Sequence, residues 1–287
     1  IPGADLEGCF TLRDATDALA IRAWSQTRHC KQAVVLGGGV LGVEAADALR
    51  QLGLRVTIVN NSYQLMNRQL DLHGGVILRQ FLSNSGIDVI TDSGIDRVEG
   101  KEQIDQVVLS NGEALAADLL LFCIGVRADT SLAKDAALEI NRGVVVDSNM
   151  RTSNEHIYCV GDAAELPGAI GGLWSVGNEQ GKVAAESLSG KQKEYIVESI
   201  PPVQLKISGI DLKCFGNIEE SDGVVVYTGG DIEKHYWKHL LLKEGRPVGG
   251  VFLNSPLAAN AAISAAKQPE KILSHQDVKA LMSKDRN

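Results

Sequence analysis

The stretch Ala33–Ala46, AVVLGGGVLGVEAA, limits what this chain can fold into more than any other. A short apolar run enters G-x-G-x-x-G at Gly37, Gly39 and Gly42, and an amphipathic helical pattern leaves it. Glycines between a buried strand and a helix let the backbone approach a pyrophosphate, while the positive end of the helix faces the phosphate charge. An ordinary Gly-rich turn without a ligand has the same letters. The ligand reading is favoured by context: a strand at 33–36, a crossover helix at 41–52 and a second strand at 55–59, Arg-Val-Thr-Ile-Val. Val40 and Leu41, at the helix start, join the candidate contacts.

Beyond this βαβ unit the pattern stays α/β. A helix is expected at 15–29, another at 74–85, and a strand at 87–90. Residues 95–117 read as a small antiparallel meander with a tight turn at Ser110-Asn111-Gly112-Glu113. Asp118–Ile124 is apolar on both faces after its first residue, as a central parallel strand is. A strand at 156–160 ends in Gly161-Asp162, and a helix follows at 175–189. After Pro201-Pro202 antiparallel strands are expected at 203–215, 224–228, 235–243 and 247–253, with Glu244–Pro247 as the last turn, and helices at 256–267 and 275–283.

Composition excludes several classes. The formal charge of −8 argues against nucleic acid or an anionic membrane as partner. No apolar run approaches the ~20 residues of a membrane span. The five cysteines are scattered without a C-x-x-C, so neither a dithiol pair nor a metal cluster is signalled, and a reduced, cytoplasmic setting is expected. The six histidines form no convincing metal pair: His235 and His239 are four apart in a segment that reads as strand.

Other candidates lie at strand ends. Asn60 follows the second strand, where an acid would favour NAD and an arginine NADP. It carries no charge, so coenzyme choice stays open with a lean to NADH; the alternative is a plain turn residue. Glu44 lies in the first turns of the crossover helix, where the dipole alone favours a carboxylate by ~0.3–1 kcal/mol; a role beside the nicotinamide is the other reading. Gly125 and Val126 follow the strand at 118–124, where α/β sheets bind ligands, or form a simple turn. Asp162 after Gly161 accepts from a ligand's hydroxyls or merely caps a turn.

Three segments together, Val34–Glu44, Asp118–Arg127 and Thr152–Asp162, resemble the FAD-dependent pyridine nucleotide-disulfide oxidoreductase superfamily. Leu65–Asp71, Leu205–Asp211 and Leu241–Gly249 are similar to its NADH:rubredoxin reductase and nitrite reductase flavoprotein group. The resemblance implies a Rossmann-like three-layer nucleotide-binding domain, part of a second such domain and a small α+β C-terminal domain. It implies a flavin-domain connector at 1–23, an NAD(P)H domain at 24–140, a returning flavin segment at 141–195 and an interface domain at 196–287. Asp162 then matches an aspartate at the flavin's ribityl and phosphate region, and Glu44 a glutamate near the nicotinamide.

The implied activity is hydride transfer from NAD(P)H to FAD, with electrons passed to a carrier protein or fused reductase centre. A homodimer or a companion flavin-domain chain is a further expectation. The superfamily's first Gly-rich fingerprint is not among these residues, and the chain starts at Ile1, so a fragment of a longer enzyme is expected. The alternatives are a nucleotide-binding and docking module that does not hold FAD alone, and a plain NAD-dependent dehydrogenase. The latter lacks a Ser/Tyr/Lys or His/Asp proton relay.

Overall fold

The computed structural model describes residues 1–167, 172–191, 193–196, 202–268 and 270–285. The chain divides into two compact units, Ile1–Gly125 with Pro202–Asn287, and Val126–Pro201.

In the first unit, strand β1 (Cys9–Thr11) leads to helix α1 (Ala15–Thr27), β2 (Gln32–Leu36), α2 (Val40–Gln51), β3 (Arg55–Val59), α3 (Leu72–Asn84) and β4 (Ile87–Ile90). A meander of β5 (Ile95–Gly100), β6 (Ile104–Leu109) and β7 (Ala114–Ala116) precedes β8 (Leu119–Phe122). The parallel sheet has the order β1-β8-β2-β3-β4. Strand β1 thus lies at one edge of this sheet. Alternation along β2 builds the layers. Ala33 and Val35 pack among Val43, Ala46, Ile77 and Leu78 on the helix side. Val34 and Leu36 pack among Val98, Val107 and Leu109 of the meander. A strand buried on both faces has no polar side, which is why these runs are continuously apolar.

The second unit holds α4 (Ser131–Asp135), β9 (Val144–Val145), β10 (Ala164–Glu165) and α5 (Trp174–Leu188), with a short 3-10 turn at Gly161–Ala163. The strand expected at 156–160 does not form; only a single bridge joins Arg151 to Tyr158. Local polar bonds replace it. Thr152 Oγ1 donates to the carbonyls of Asn154 and Ile157, and Asn154 Oδ1 accepts the His156 N–H. Such side chains compete with a strand ladder for the backbone.

Returning to the first unit, β11 (Val203–Ile207), β12 (Ile210–Gly216), β13 (Val224–Asp231), β14 (Tyr236–Lys243) and β15 (Arg246–Leu253) form an antiparallel sheet ordered β11-β12-β15-β14-β13. Helices α6 (Pro256–Ala266) and α7 (His275–Ser283) cover one face around Leu240, Phe252 and Ala262. The opposite face shares a core with α2, α3 and the parallel sheet through Leu205, Leu212, Trp237 and Leu253. Two expectations need correction. The run 203–215 is a hairpin, because Gly209 at φ 94° turns the chain back. His235 lies in the turn before β14 with φ 51°, not on a strand with His239. Pro201 lies outside the described residues.

Candidate functional site

The fingerprint glycines have separable reasons to be glycine. Gly37 has φ 113°, and a Cβ there would overlap the Cys123 carbonyl oxygen. A Cβ on Gly42 would strike the carbonyl oxygen of Gly37, so α2 can start close to the end of β2 only with glycine there. Gly39 differs. Its φ of −77° and ψ of −176° suit any residue, and among the described residues a Cβ there meets nothing within 4 Å. Neither strain nor packing accounts for this glycine; open space lies over it. Gly39 is also the N-cap of α2 and supplies no side-chain bond, whereas α1, α3 and α7 are capped by Asp14, Asp71 and Ser274. The first-turn amides, beginning at Val40 and the partly exposed Leu41, therefore lack a capping side chain.

Asn60 braces this loop from below. It is 7% exposed. Its Oδ1 accepts the Gly38 N–H at 3.0 Å, and its Nδ2 donates to the carbonyls of Ser62 at 3.1 Å and Gln64 at 2.9 Å. The Met66 N–H donates to the Gly38 carbonyl at 2.8 Å, and Gln64 Nε2 donates to that of Leu70 at 2.8 Å. The buried amide thus fixes the height of the glycine loop against the segment after β3. Gln64 and Met66 were missed in the sequence because their contacts are to backbone across the loop.

Glu44 sits one turn into α2, with Oε1 accepting the Lys206 N–H at 2.7 Å. Asp47, three residues on and overlooked in the sequence, is buried. It accepts from Arg50 Nη2 at 2.8 Å, Gln51 Nε2 at 2.7 Å and the Ser208 N–H at 3.3 Å. Gly125 follows β8 with φ 95°, and among the described residues nothing lies within 4 Å of a Cβ there. Val126 is exposed and begins the second unit. In that unit the Gly161 N–H donates to Oε1 of the buried Gln180 at 2.7 Å, and a Cβ on Gly177 would lie 3.2 Å from the Gly161 Cα. This close approach holds α5 against the 3-10 turn and leaves Asp162 exposed. Gln180 carried no spacing signal.

A polar cluster beside α3 was also unforeseen. Asp71 caps the helix by accepting the Gly74 N–H at 3.2 Å. Its carboxylate also accepts from Trp237 Nε1 at 3.0 Å and lies 3.3 Å from Nδ1 of the buried His239. Burial acts to raise the Asp71 pKa, but the nearby His239 ring and the bonds from Gly74 and Trp237 overcome it and hold the carboxyl below its ordinary value. A carboxylate with a lowered folded-state pKa stabilises the fold above its unfolded pKa, and that stabilisation is lost as pH falls through the folded value. Urea midpoints should therefore fall below about pH 4, and Asp71→Asn should flatten this acid limb while lowering the midpoint at neutral pH. An unchanged limb would remove Asp71 from the acid response.

All five cysteines are free thiols. Burial pushes Cys123 up to about 11 and Cys214 up to about 12; burial and nearby Asp5 push Cys9 to about 11. These thiols are poor nucleophiles at neutral pH. Among the described residues no helix is long and apolar enough to cross a membrane.

Residues 1–185 match the pyridine nucleotide-disulphide oxidoreductase family. The chain is 31% identical over 272 residues to a nitrite reductase [NAD(P)H] of Bacillus subtilis, covering 95% of this chain and 34% of that protein. It therefore spans about a third of that relative's length. It is 30% identical over 279 residues to an NADH-rubredoxin oxidoreductase of Clostridium acetobutylicum, covering 96% of this chain and 68% of the relative. The crystal structure of NADH:rubredoxin oxidoreductase from Clostridium acetobutylicum superposes with a TM-score of 0.71 at 26% identity, covering 94% of this chain and 68% of that one. The match over residues 1–185, together with the likeness to these relatives, establishes that the chain belongs to the pyridine nucleotide-disulphide oxidoreductase family.

Proposed function

We propose that this chain is the NAD(P)H-binding portion of an FAD-dependent oxidoreductase that moves hydride from NAD(P)H to FAD and passes electrons to a carrier protein or fused reductase centre. The observation that carries the reading is Gly39, whose missing Cβ opens a space that no other described residue fills. A pyrophosphate fits there: the uncapped amides of Val40, Leu41 and Gly42 donate, the helix dipole favours the negative charge, and the Asn60 brace holds the loop in place.

Glu44 and Gly125 border the nicotinamide half in this reading. Asn60 contributes to the ribose end by shaping the loop. It presents no carboxylate there to repel a 2′-phosphate, so NADPH is not turned away by charge, and the lean to NADH is supported by the relative named NADH-rubredoxin oxidoreductase. Gly161 and Asp162 belong to the flavin side, supported by the family match and by the exposed carboxylate on a turn pinned to Gln180. Bound flavin supplies the exchange between two-electron and one-electron chemistry; the protein orients and shields. The acceptor is an electron-carrier protein or domain, as suggested by relatives named for rubredoxin and for nitrite reduction. A homodimer or a companion flavin-bearing chain, and a cytoplasmic setting in keeping with five free cysteines, complete the proposal.

The test is anaerobic addition of NADH to the flavin-loaded protein. Loss of the oxidised flavin absorbance is expected. Coenzyme binding with no change in flavin absorbance would leave only a nucleotide-binding module.

A further inference from the structure

Strand β11 is the edge of the C-terminal sheet, so alternate N–H groups along it point away from β12. An unpaired edge is normally covered by charge, a bulge or another element. Here the covering groups are two carboxylates of α2. The Lys206 N–H donates to Glu44 Oε1 at 2.7 Å, and the Ser208 N–H to Asp47 Oδ2 at 3.3 Å. The Lys206 amide on the strand edge and the Ser208 amide just past the strand's end meet acids three residues apart on one helix face.

The two acids are not equivalent. Asp47 is buried and receives Arg50 and Gln51 as well. Glu44 is engaged only through Oε1; among the described residues Oε2 has no hydrogen-bond partner. Glu44 also lies on the helix face that begins at Leu41, an exposed apolar side chain at the mouth of the glycine loop. A free glutamate samples many rotamers, and a charge-assisted bond from a fixed backbone amide removes most of that freedom before any ligand arrives.

We propose that the Lys206 backbone amide is a positioning group. It pins one oxygen of Glu44 so that the other is presented to the nicotinamide half of the coenzyme, which makes the edge of the C-terminal sheet part of the coenzyme site. This rests on the reading of Glu44 given under Proposed function. Lys206 acts through Glu44 and touches no coenzyme itself.

Proline at an outward-facing edge position removes the donor without breaking a ladder bond. Calorimetric titration with NADH and with ADP-ribose, which lacks the nicotinamide, separates positioning from general damage. Lys206→Pro should weaken NADH by about fivefold or more and leave ADP-ribose within about twofold. Lys206→Ala loses the same side chain but keeps the N–H, and should restore wild-type NADH affinity. Gln204→Pro, on the same outward register, should match wild type with both ligands.

Equal losses of NADH and ADP-ribose in Lys206→Pro would overturn the proposal. So would wild-type NADH binding by Lys206→Pro where Glu44→Ala is weakened, which leaves the reading of Glu44 intact. If Glu44→Ala also binds NADH normally, that reading fails and takes the positioning role with it. One measurement needs no proline variant to fold. The Lys206 amide should exchange slowly in the wild-type chain and fast in Glu44→Ala; fast exchange in both would overturn the proposal.

Discussion

Gly39→Ser is expected to keep the thermal stability of the parent chain and to lose NADH affinity by about tenfold or more, ~1.4 kcal/mol. The two halves of this result have separate causes. Gly39 occupies a backbone conformation that serine adopts freely, and among the described residues an added side chain meets no atom within 4 Å of its Cβ. Serine is also a better N-cap than glycine, by a few tenths of a kcal/mol, so the fold has no reason to suffer. The coenzyme does, because the hydroxymethyl group fills the space over the first-turn amides and its oxygen competes for them. Gly42→Ala should do the reverse: its Cβ strikes the Gly37 carbonyl, so stability falls before binding is tested. Thermal melts paired with calorimetry on both variants check the contrast. Undiminished NADH binding by Gly39→Ser would mean that the loop is a structural turn.

Asn60→Asp is expected to destabilise the chain by about 3 kcal/mol. In a simple dinucleotide fold, an acid at this position is the change that favours NADH. Here the side chain is buried and both ends of its amide are in use. A carboxylate keeps the bond from the Gly38 N–H but turns its second oxygen toward the carbonyls of Ser62 and Gln64, which offer no proton. Protonation relieves the clash, so the loss should be greatest at neutral pH and shrink in acid. The melting temperature is expected to fall by about 6–12 °C at pH 7. A stable Asn60→Asp chain with sharpened preference for NADH would instead show that residue 60 faces the ribose.

The contrast between Gly39 and Asn60 shows what the sequence disclosed. Periodicity and glycine spacing are local, so the βαβ unit, the central strand at 119–122 and the closing helices were legible from residue order. What each residue does depends on partners far along the chain. Asn60 bonds to Gly38, 22 positions away, Glu44 to Lys206, 162 away, and Asp71 to Trp237, 166 away. No pattern in a single sequence marks such pairs. The strand expected at 156–160 failed for a different reason, since Thr152 and Asn154 hold the backbone in turns that an apolar count overlooks. Asp71 could have been found: an acid directly before a helix, three residues ahead of Gly74, is the spacing of an N-cap.

Amide hydrogen exchange across Gly38–Gly42, with and without saturating NADH, tests most directly whether the glycine loop carries a coenzyme. Slower exchange confined to these amides and the rest of the first turn of α2 is the expected result. Exchange there that is indifferent to NADH, at concentrations that saturate the calorimetric signal, would place the coenzyme elsewhere and contradict the site described.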